Sequence, residues 1–246
     1  MAARLCGIGV GPGDPELLTL KGLQRLRATP VIAYPAPETG ESFARSIVAG
    51  WLDGWQREIA IRFPMRPGPT PSAAYCRGAE AIAAELDAGR DVALLCQGDP
   101  LFYGSFIGLF ARLADRYPVE IVPGVSSLNA CAAAAAAPLL TGDATLTVLP
   151  ATLAEGPLEA RLAAAEIAAI LKLGRHLDKV RRVLQRLGRL AGAVCIEHAS
   201  LTDQQVRPLA AVDTTPYLSI ALVRLPPAGA ARRVPRLAGT GKQGAP

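Results

Sequence analysis

The chain has 246 residues, of which 50% are hydrophobic and 19% charged. A chain of this size and apolar content buries roughly 70–75% of its unfolded surface in one large domain or two small ones, which excludes bulk disorder, and its five cysteines are too few and odd in number for a disulfide scaffold. The formal charge is +5, but four of the 26 basic residues (Arg232, Arg233, Arg236, Lys242) lie from Pro226 onward with no acid, leaving 22 basic against 21 acidic residues in the body, so no broad field argues for nucleic acid. No apolar run reaches the ~18–20 residues of a membrane span; the longest, Ala130 to Leu140, is mostly alanine and is broken by Pro138. The first residues, MAARLCGIGV, run straight into a glycine turn and lack a signal-sequence pattern. These features describe a soluble, reduced, cytoplasmic protein with no membrane contact.

In chain order, Leu5 to Val10 reads as a short apolar strand ending in glycines. Asp14-Pro15 supplies an N-cap and a first helical proline, and Leu17, Leu20, Leu23 and Leu26 form the buried side of the helix that follows. Val31 to Tyr34 is a second strand, stopped by prolines. Residues 64–71 (PMRPGPTP) are a loop. Ser72 caps a helix with Tyr75, Ala79, Ile82 and Leu86 at helical spacing, ended by Gly89. Val92 to Cys96 is a fully apolar strand; a turn follows, then a helix with Phe106, Phe110 and Leu113 on one face.

Val119 to Val122 is the next strand, broken by Pro123-Gly124, and Ser126-Ser127 opens a small-residue helix through the alanine run. A domain boundary falls near Pro123. Beyond it Thr145 to Leu149, Ile167 to Leu171, Ala193 to Glu197 and Leu218 to Arg224 read as strands, with helices over Glu159 to Ala165 and His176 to Leu190. Strands alternating with helices predict an α/β protein with mostly parallel sheets. The expected organisation is an N-terminal α/β domain over 1–123, a C-terminal α/β domain over 124–225 and a disordered tail over 226–246.

Three turns carry candidate chemistry. The first is GVGPGDPELLTLK, residues 9–21. A glycine turn between a first strand and a first helix invites a dinucleotide reading, yet the third fingerprint position is Asp14 counted from Gly9, or Pro12 counted from Gly7, and an acid there opposes a pyrophosphate. A plain turn capped by Asp14 is the other reading. The second is CQGDPLFYGSF, residues 96–106, at the carboxyl end of a buried strand, where open α/β sheets bind ligands. Three of the chain's twelve aromatics, Phe102, Tyr103 and Phe106, lie within it, so it is either a core-anchored loop or a ligand loop. The third is PGVSS, residues 123–127, where Ser126 and Ser127 either cap a helix or meet a ligand. Three such turns at strand ends would converge on one crevice. No C-x-x-C pair exists and His176 and His198 lack metal-ligand spacing, so no metal site is expected; His198 reads as a structural or rim histidine. Arg181, Arg182, Arg186 and Arg189 read as the solvated face of a helix that buries Leu177, Val180, Leu184 and Leu187.

GVGPGDPELLTLK, Gln97-Gly98-Asp99-Pro100, PGVSS, Leu171-Lys172-Leu173-Gly174 and Glu197-His198-Ala199-Ser200 resemble, in order, the motifs of the tetrapyrrole methylase family, over residues about 4 to 225. Phe63-Pro64-Met65, Leu101 to Phe106 and Lys172 are similar to the branch that methylates C20 of precorrin-2. That branch usually shows Glu where this chain has Gln97, which puts in doubt any catalytic role for that side chain.

The resemblance implies two α/β domains with the active site and S-adenosyl-L-methionine in the cleft between them, a homodimer, no metal, and methyl transfer from that donor to C20 of precorrin-2, giving precorrin-3A in cobalamin biosynthesis. Carried over, the donor contacts would be Gln97, Gly98, Asp99, Pro100 and Tyr103, with Ser126, Ser127, Leu173, Ala199, Leu218 and Ser219 from later in the chain; Pro12 would face the donor and the tetrapyrrole. Tyr103, or a water held near Asp99, would remove the meso proton. Arg45, Arg62, Arg66 and Arg77 are candidates for the substrate carboxylates. Three other readings stand beside this one: a methylase of the same fold acting on cobalt-factor II or at another ring carbon, a nicotinamide-dependent oxidoreductase, and a non-enzymatic tetrapyrrole carrier.

Overall fold

The computed structural model describes residues 2–64 and 72–224. Met65, Arg66, most of the proline-rich loop and the basic tail therefore lie outside the described residues. The chain divides between Ser127 and Leu128 into two compact units.

The first unit runs β1 (Leu5–Gly9), α1 (Leu20–Ala28), β2 (Val31–Pro37), α2 (Phe43–Ile47), β3 (Arg57–Phe63), α3 (Ser72–Asp87), β4 (Val92–Cys96), α4 (Phe106–Leu113) and β5 (Val119–Val122). Its sheet has the order β3-β2-β4-β1-β5, and every pairing is parallel. Alternate residues of the central strands enter two separate cores. Leu5, Val92 and Leu94 pack with Ile82, Leu86 and Leu109 of α3 and α4. Cys6, Ile8, Ala93 and Leu95 pack with Leu26 of α1 and Ile47 of α2. Covering both faces explains why β1 and β4 are apolar at every position.

The second unit runs α5 (Ser127–Ala134), which starts at the division, then β6 (Leu146–Pro150), α6 (Glu155–Ala164), β7 (Ile167–Leu171), α7 (Leu177–Arg186), β8 (Ala193–Glu197), β9 (Gln205–Pro208) and β10 (Ser219–Arg224). The strand order is β6-β7-β10-β8-β9. Leu158, Leu162, Val180, Val183 and Leu184 of α6 and α7 pack on Ala168, Ile170, Cys195, Ala221 and Val223.

Several expectations are corrected. The second sheet is not mostly parallel. β6 and β7 are parallel, but β10 enters antiparallel between β7 and β8, and β9 returns antiparallel along β8. Asp14-Pro15 opens only a 3-10 turn, Pro15–Leu17, with Asp14 accepting the Glu16 N–H. The α-helix starts later because Thr19 accepts from Gly22 and caps it. Of its leucines, Leu26 is buried and Leu20 is exposed. β2 runs through Pro35 and Pro37, since past Ala33 only β3 pairs with it and one side of the strand needs no donor. The helix expected from Glu159 begins at Glu155, because Pro157 lies in the first turn, where its missing N–H costs no bond. The helix expected to reach Leu190 stops at Arg186, followed by Gly188 in a left-handed conformation at φ 66°.

Candidate functional site

In the first unit, β1, β4 and β5 end side by side, and their turns touch. Val10 donates to the Cys96 carbonyl at 2.9 Å, and Gly98 donates to the Gly11 carbonyl at 2.7 Å. A Cβ on Gly124 would lie 2.1 Å from the Gly98 oxygen and 2.7 Å from Gly9 Cα; one on Gly9 would lie 2.5 Å from the Gly124 nitrogen. Glycine is thus required so that three main chains can meet. Asp99 ties two of these turns together, its Oδ1 accepting the Leu101 N–H at 2.9 Å and its Oδ2 the Gly124 N–H at 3.1 Å. Pro12, Gly98 and Pro100 are buried here, whereas Gln97, Asp99, Ser126 and Ser127 are half-buried. Tyr103 is 48% exposed with φ 56°, its ring edge-on to Phe102.

In the second unit, the antiparallel entry of β10 brings its first residues to the carboxyl ends of β7 and β8. Ser219 pairs with Glu197, and Ile220 with Leu171. His198 donates its N–H to the Leu218 carbonyl at 2.8 Å. Leu173, Ala199, Leu218 and Ser219 therefore gather at one sheet edge. Leu173 turns its side chain into the core, which leaves only its main chain for a ligand. Ser219 is buried and donates its hydroxyl to the Pro216 carbonyl at 2.7 Å.

Backbone strain concentrates at these edges. Five described non-glycine residues have positive φ, and four of them are Tyr103 in the first unit and Lys172, His198 and Ser200 in the second. Such conformations persist where surrounding structure holds them for function. Two carboxylate pairs that sequence reasoning did not find lie beside the second edge. Glu197 is buried and accepts from Arg207 at 2.6 Å. His198 Nδ1 lies 2.6 Å from Asp203 Oδ2. The available signal was a histidine just past a strand with an acid five residues on.

The arginine candidates have the following surroundings. Arg45 pairs with Glu58 at 3.0 Å, and Arg62 donates to the Pro37 and Gly40 carbonyls; Arg77 lines a cavity of about 190 Å³ between α3 and β3. The arginines of α7 are not a plain solvated face. Arg182 and Arg186 pair with Glu155 and Glu159 of α6, and Arg181 donates to the Val212 and Ala210 carbonyls. Arg189 is buried and donates to the Leu162 and Ala163 carbonyls. Burial pushes the thiols of Cys6 and Cys195 up to about 11 and that of Cys131 to about 12, and it drives Cys96 higher still. Burial thus disfavours the thiolate form of all four. Among the described residues no group of three or more His, Cys, Asp or Glu is placed to hold a metal, and no helix is long and apolar enough to cross a membrane.

The first turn also bears on ligand class. A dinucleotide site places a helix N-terminus directly after the first strand. Here α1 begins eleven residues past the end of β1, and the intervening 3-10 turn carries the Asp14 carboxylate at its head. The arrangement suits a ligand without phosphate.

Residues 4–213 match the family profile of the Tetrapyrrole (Corrin/Porphyrin) Methylases. A precorrin-2 C(20)-methyltransferase of Sinorhizobium sp is 43% identical over 231 residues, covering 89% of this chain and 94% of that protein. A cobalt-precorrin-2 C(20)-methyltransferase of Salmonella typhimurium is 31% identical over 230 residues, covering 91% and 97%. Among solved structures, a uroporphyrin-III C-methyl transferase from Thermus thermophilus complexed with S-adenyl homocysteine has the same fold, with a TM-score of 0.66 at 23% identity over 90% of this chain and 97% of that one. With the profile spanning both units and the relatives matching nearly end to end, the chain belongs to the tetrapyrrole (corrin/porphyrin) methylases.

Proposed function

We propose that the protein transfers a methyl group from S-adenosyl-L-methionine to C20 of precorrin-2, giving precorrin-3A. The observation that carries this reading is the 43% identity, over 94% of its length, to a relative named for that reaction. Two relatives named for the cobalt-bearing substrate are less similar, one 31% identical over 91% of this chain and one 36% identical over 61% of it, which favours the metal-free substrate.

The residues fit such a donor. The first unit offers a phosphate-free turn of main-chain donors and acceptors around Gly98 and Asp99, with Pro12, Gln97, Pro100, Tyr103, Ser126 and Ser127 beside it. The second offers Leu173, Ala199, Leu218 and Ser219. When bound, the donor supplies a methyl group already activated by positive sulfur. The meso carbon that accepts it is conjugated to pyrrole-type nitrogen and is nucleophilic unaided. The protein's task is then orientation, which supplies about 7–11 kcal/mol in well-held intramolecular reactions. Asp99 contributes by fixing the turns of β4 and β5 against each other, and the glycines by letting the main chains close up. The reading extends, from the family resemblance, to a homodimer and a cytoplasmic location.

The test is incubation with precorrin-2 and methyl-labelled donor, followed by mass and NMR location of the new methyl. Label at C20 is expected; label at another ring carbon, or none, overturns the assignment. Calorimetric binding of NADH in place of S-adenosyl-L-methionine would restore the oxidoreductase reading.

A further inference from the structure

We propose that His198, oriented by Asp203, is the base that removes the C20 proton after methyl transfer; this rests on the reaction proposed above. Methylation of a meso carbon leaves that carbon with both a hydrogen and the new methyl, and conjugation returns only when the proton departs.

The usual acceptors at the two strand edges are engaged elsewhere. Both oxygens of Asp99 accept main-chain N–H groups. Glu197 is buried against Arg207. Tyr103 offers a hydroxyl, a poor acceptor in its neutral form. The chain has two histidines. One, His176, precedes α7 on a turn where Arg175 Nε lies 3.5 Å from its Nε2, so a guanidinium N–H already faces that nitrogen.

His198 is built differently. The 2.6 Å contact with the Asp203 carboxylate, an acceptor, makes Nδ1 the donor. The neutral ring therefore carries its lone pair on Nε2. The side chain is 29% exposed, and the residue holds a strained φ of 50°. The turn around it is closed by Leu201 donating to the His198 carbonyl at 2.9 Å and by Ser200 donating to Gln204 Oε1 at 2.7 Å. His198 itself is tied to Leu218 and precedes Ala199, two of the proposed donor contacts. An imidazole fixed in one tautomer by a carboxylate is suited to accept a proton and stabilise the cation formed.

The step balances. The C20 electron pair forms the bond to the methyl carbon as the carbon–sulfur bond breaks, its pair remaining on sulfur. The C20 proton then passes to Nε2, the carbon–hydrogen pair rejoins the conjugated system, and the imidazolium beside Asp203 returns the proton to water.

The experiment compares the full chain with His198→Gln and Asp203→Asn. Nitrogen NMR of the unaltered protein is expected to show neutral His198 as the Nδ1–H tautomer, and Asp203→Asn to convert it to Nε2–H. Calorimetry is expected to give all three proteins the same donor affinity within about threefold. With precorrin-2, His198→Gln should lower kcat at least about 100-fold. A primary isotope effect from C20-deuterated substrate should be larger in that variant than in the unaltered protein. Asp203→Asn should lower kcat at least about tenfold, since an amide favours the wrong tautomer. An unaltered protein that turns over while His198→Gln keeps its rate overturns the base assignment alone, as does an Nε2–H tautomer in the unaltered protein or an isotope effect that does not grow. An unaltered protein inert towards precorrin-2 overturns both this assignment and the reaction it rests on. Should His198→Gln fail to fold, the tautomer and rate of Asp203→Asn decide the matter by the same criteria.

Discussion

Gly124 donates its main-chain N–H to Oδ2 of Asp99 at 3.1 Å, and the other oxygen of the same carboxylate holds Leu101 at 2.9 Å. One side chain therefore sets the turn after β4 against the turn after β5. A carboxylate that caps two strand-end turns holds the main chain of both still.

Asp99→Asn keeps one acceptor oxygen and points an NH2 at the other N–H. The loss is expected to be about 1.5–3 kcal/mol, the range for hydrogen bonds to a charged group, read by urea denaturation. Donor affinity should fall roughly tenfold, equivalent to about 1.4 kcal/mol, because the turn loosens. Unchanged stability with weakened binding would instead make the carboxylate a direct ligand, and no change in either would remove it from the site.

Gly124→Ala tests the convergence of the turns. Its new methyl would meet the Gly98 oxygen at 2.1 Å and Gly9 Cα at 2.7 Å, atoms of backbone that have no rotamer to move to. A destabilisation of about 3 kcal/mol or more, the upper end for overpacking, is expected, together with loss of donor binding. Gly50→Ala, whose Cβ meets nothing within 4 Å, is the control and should hold stability within about 0.5 kcal/mol. Equal thermal midpoints for the two variants would contradict the close approach.

The strand-end turns were legible because a glycine-rich stretch following a short apolar run has few other meanings, and Val92–Cys96, Val119–Val122, Ile167–Leu171 and Ala193–Glu197 stand where that pattern puts them. β3 was less so: Ile59, Ile61 and Phe63 do alternate with exposed Glu58, Ala60 and Arg62, but the charged residues of an edge strand mask that pattern. The direction of β10 was not legible either: Ile220 to Val223 are all apolar, and nothing local distinguishes a strand returning between two others from one continuing the series. That insertion is what brings Leu218 and Ser219 to the ends of β7 and β8. The His198–Asp203 contact depends on a left-handed backbone at His198 that no propensity foretells.

Glu120 of β5 gives a pH dependence. Its carboxylate meets Lys21 at 2.8 Å, Arg25 through two hydrogen bonds at 2.9 and 3.1 Å, and Arg4 at 3.4 Å. Lys21 first, then Arg25, holds its pKa down at about 2 against burial acting the other way. A depressed folded value means stabilisation that is full above the ordinary carboxylate range and lost as pH falls from about 4.5 towards 2. Since the partners are largely exposed, the contribution is about 1 kcal/mol. Glu120→Gln should therefore lower stability by that amount at pH 7 and by nothing near pH 2. A difference that persists undiminished at the acid end would show that the loss came from packing.

Arg189 tests the reassigned arginine. Its guanidinium is buried and donates to the Leu162 and Ala163 carbonyls in the last turn of α6, where the Leu162 carbonyl also accepts a long bond, 3.4 Å, from the Ala165 N–H. Arg189→Met fills a similar volume but leaves both carbonyls without that donor, in a place with little access to water. A loss of about 2–3 kcal/mol is expected from removing a partner of buried polar groups, measured by chemical denaturation. Arg182→Met, which breaks only an exposed pair with Glu155, should cost less than about 0.5 kcal/mol. Neither residue belongs to the strand-end turns, so donor affinity should stay constant in both. If Arg189→Met matched Arg182→Met in stability, the guanidinium would be a surface group after all, as its helical spacing first implied.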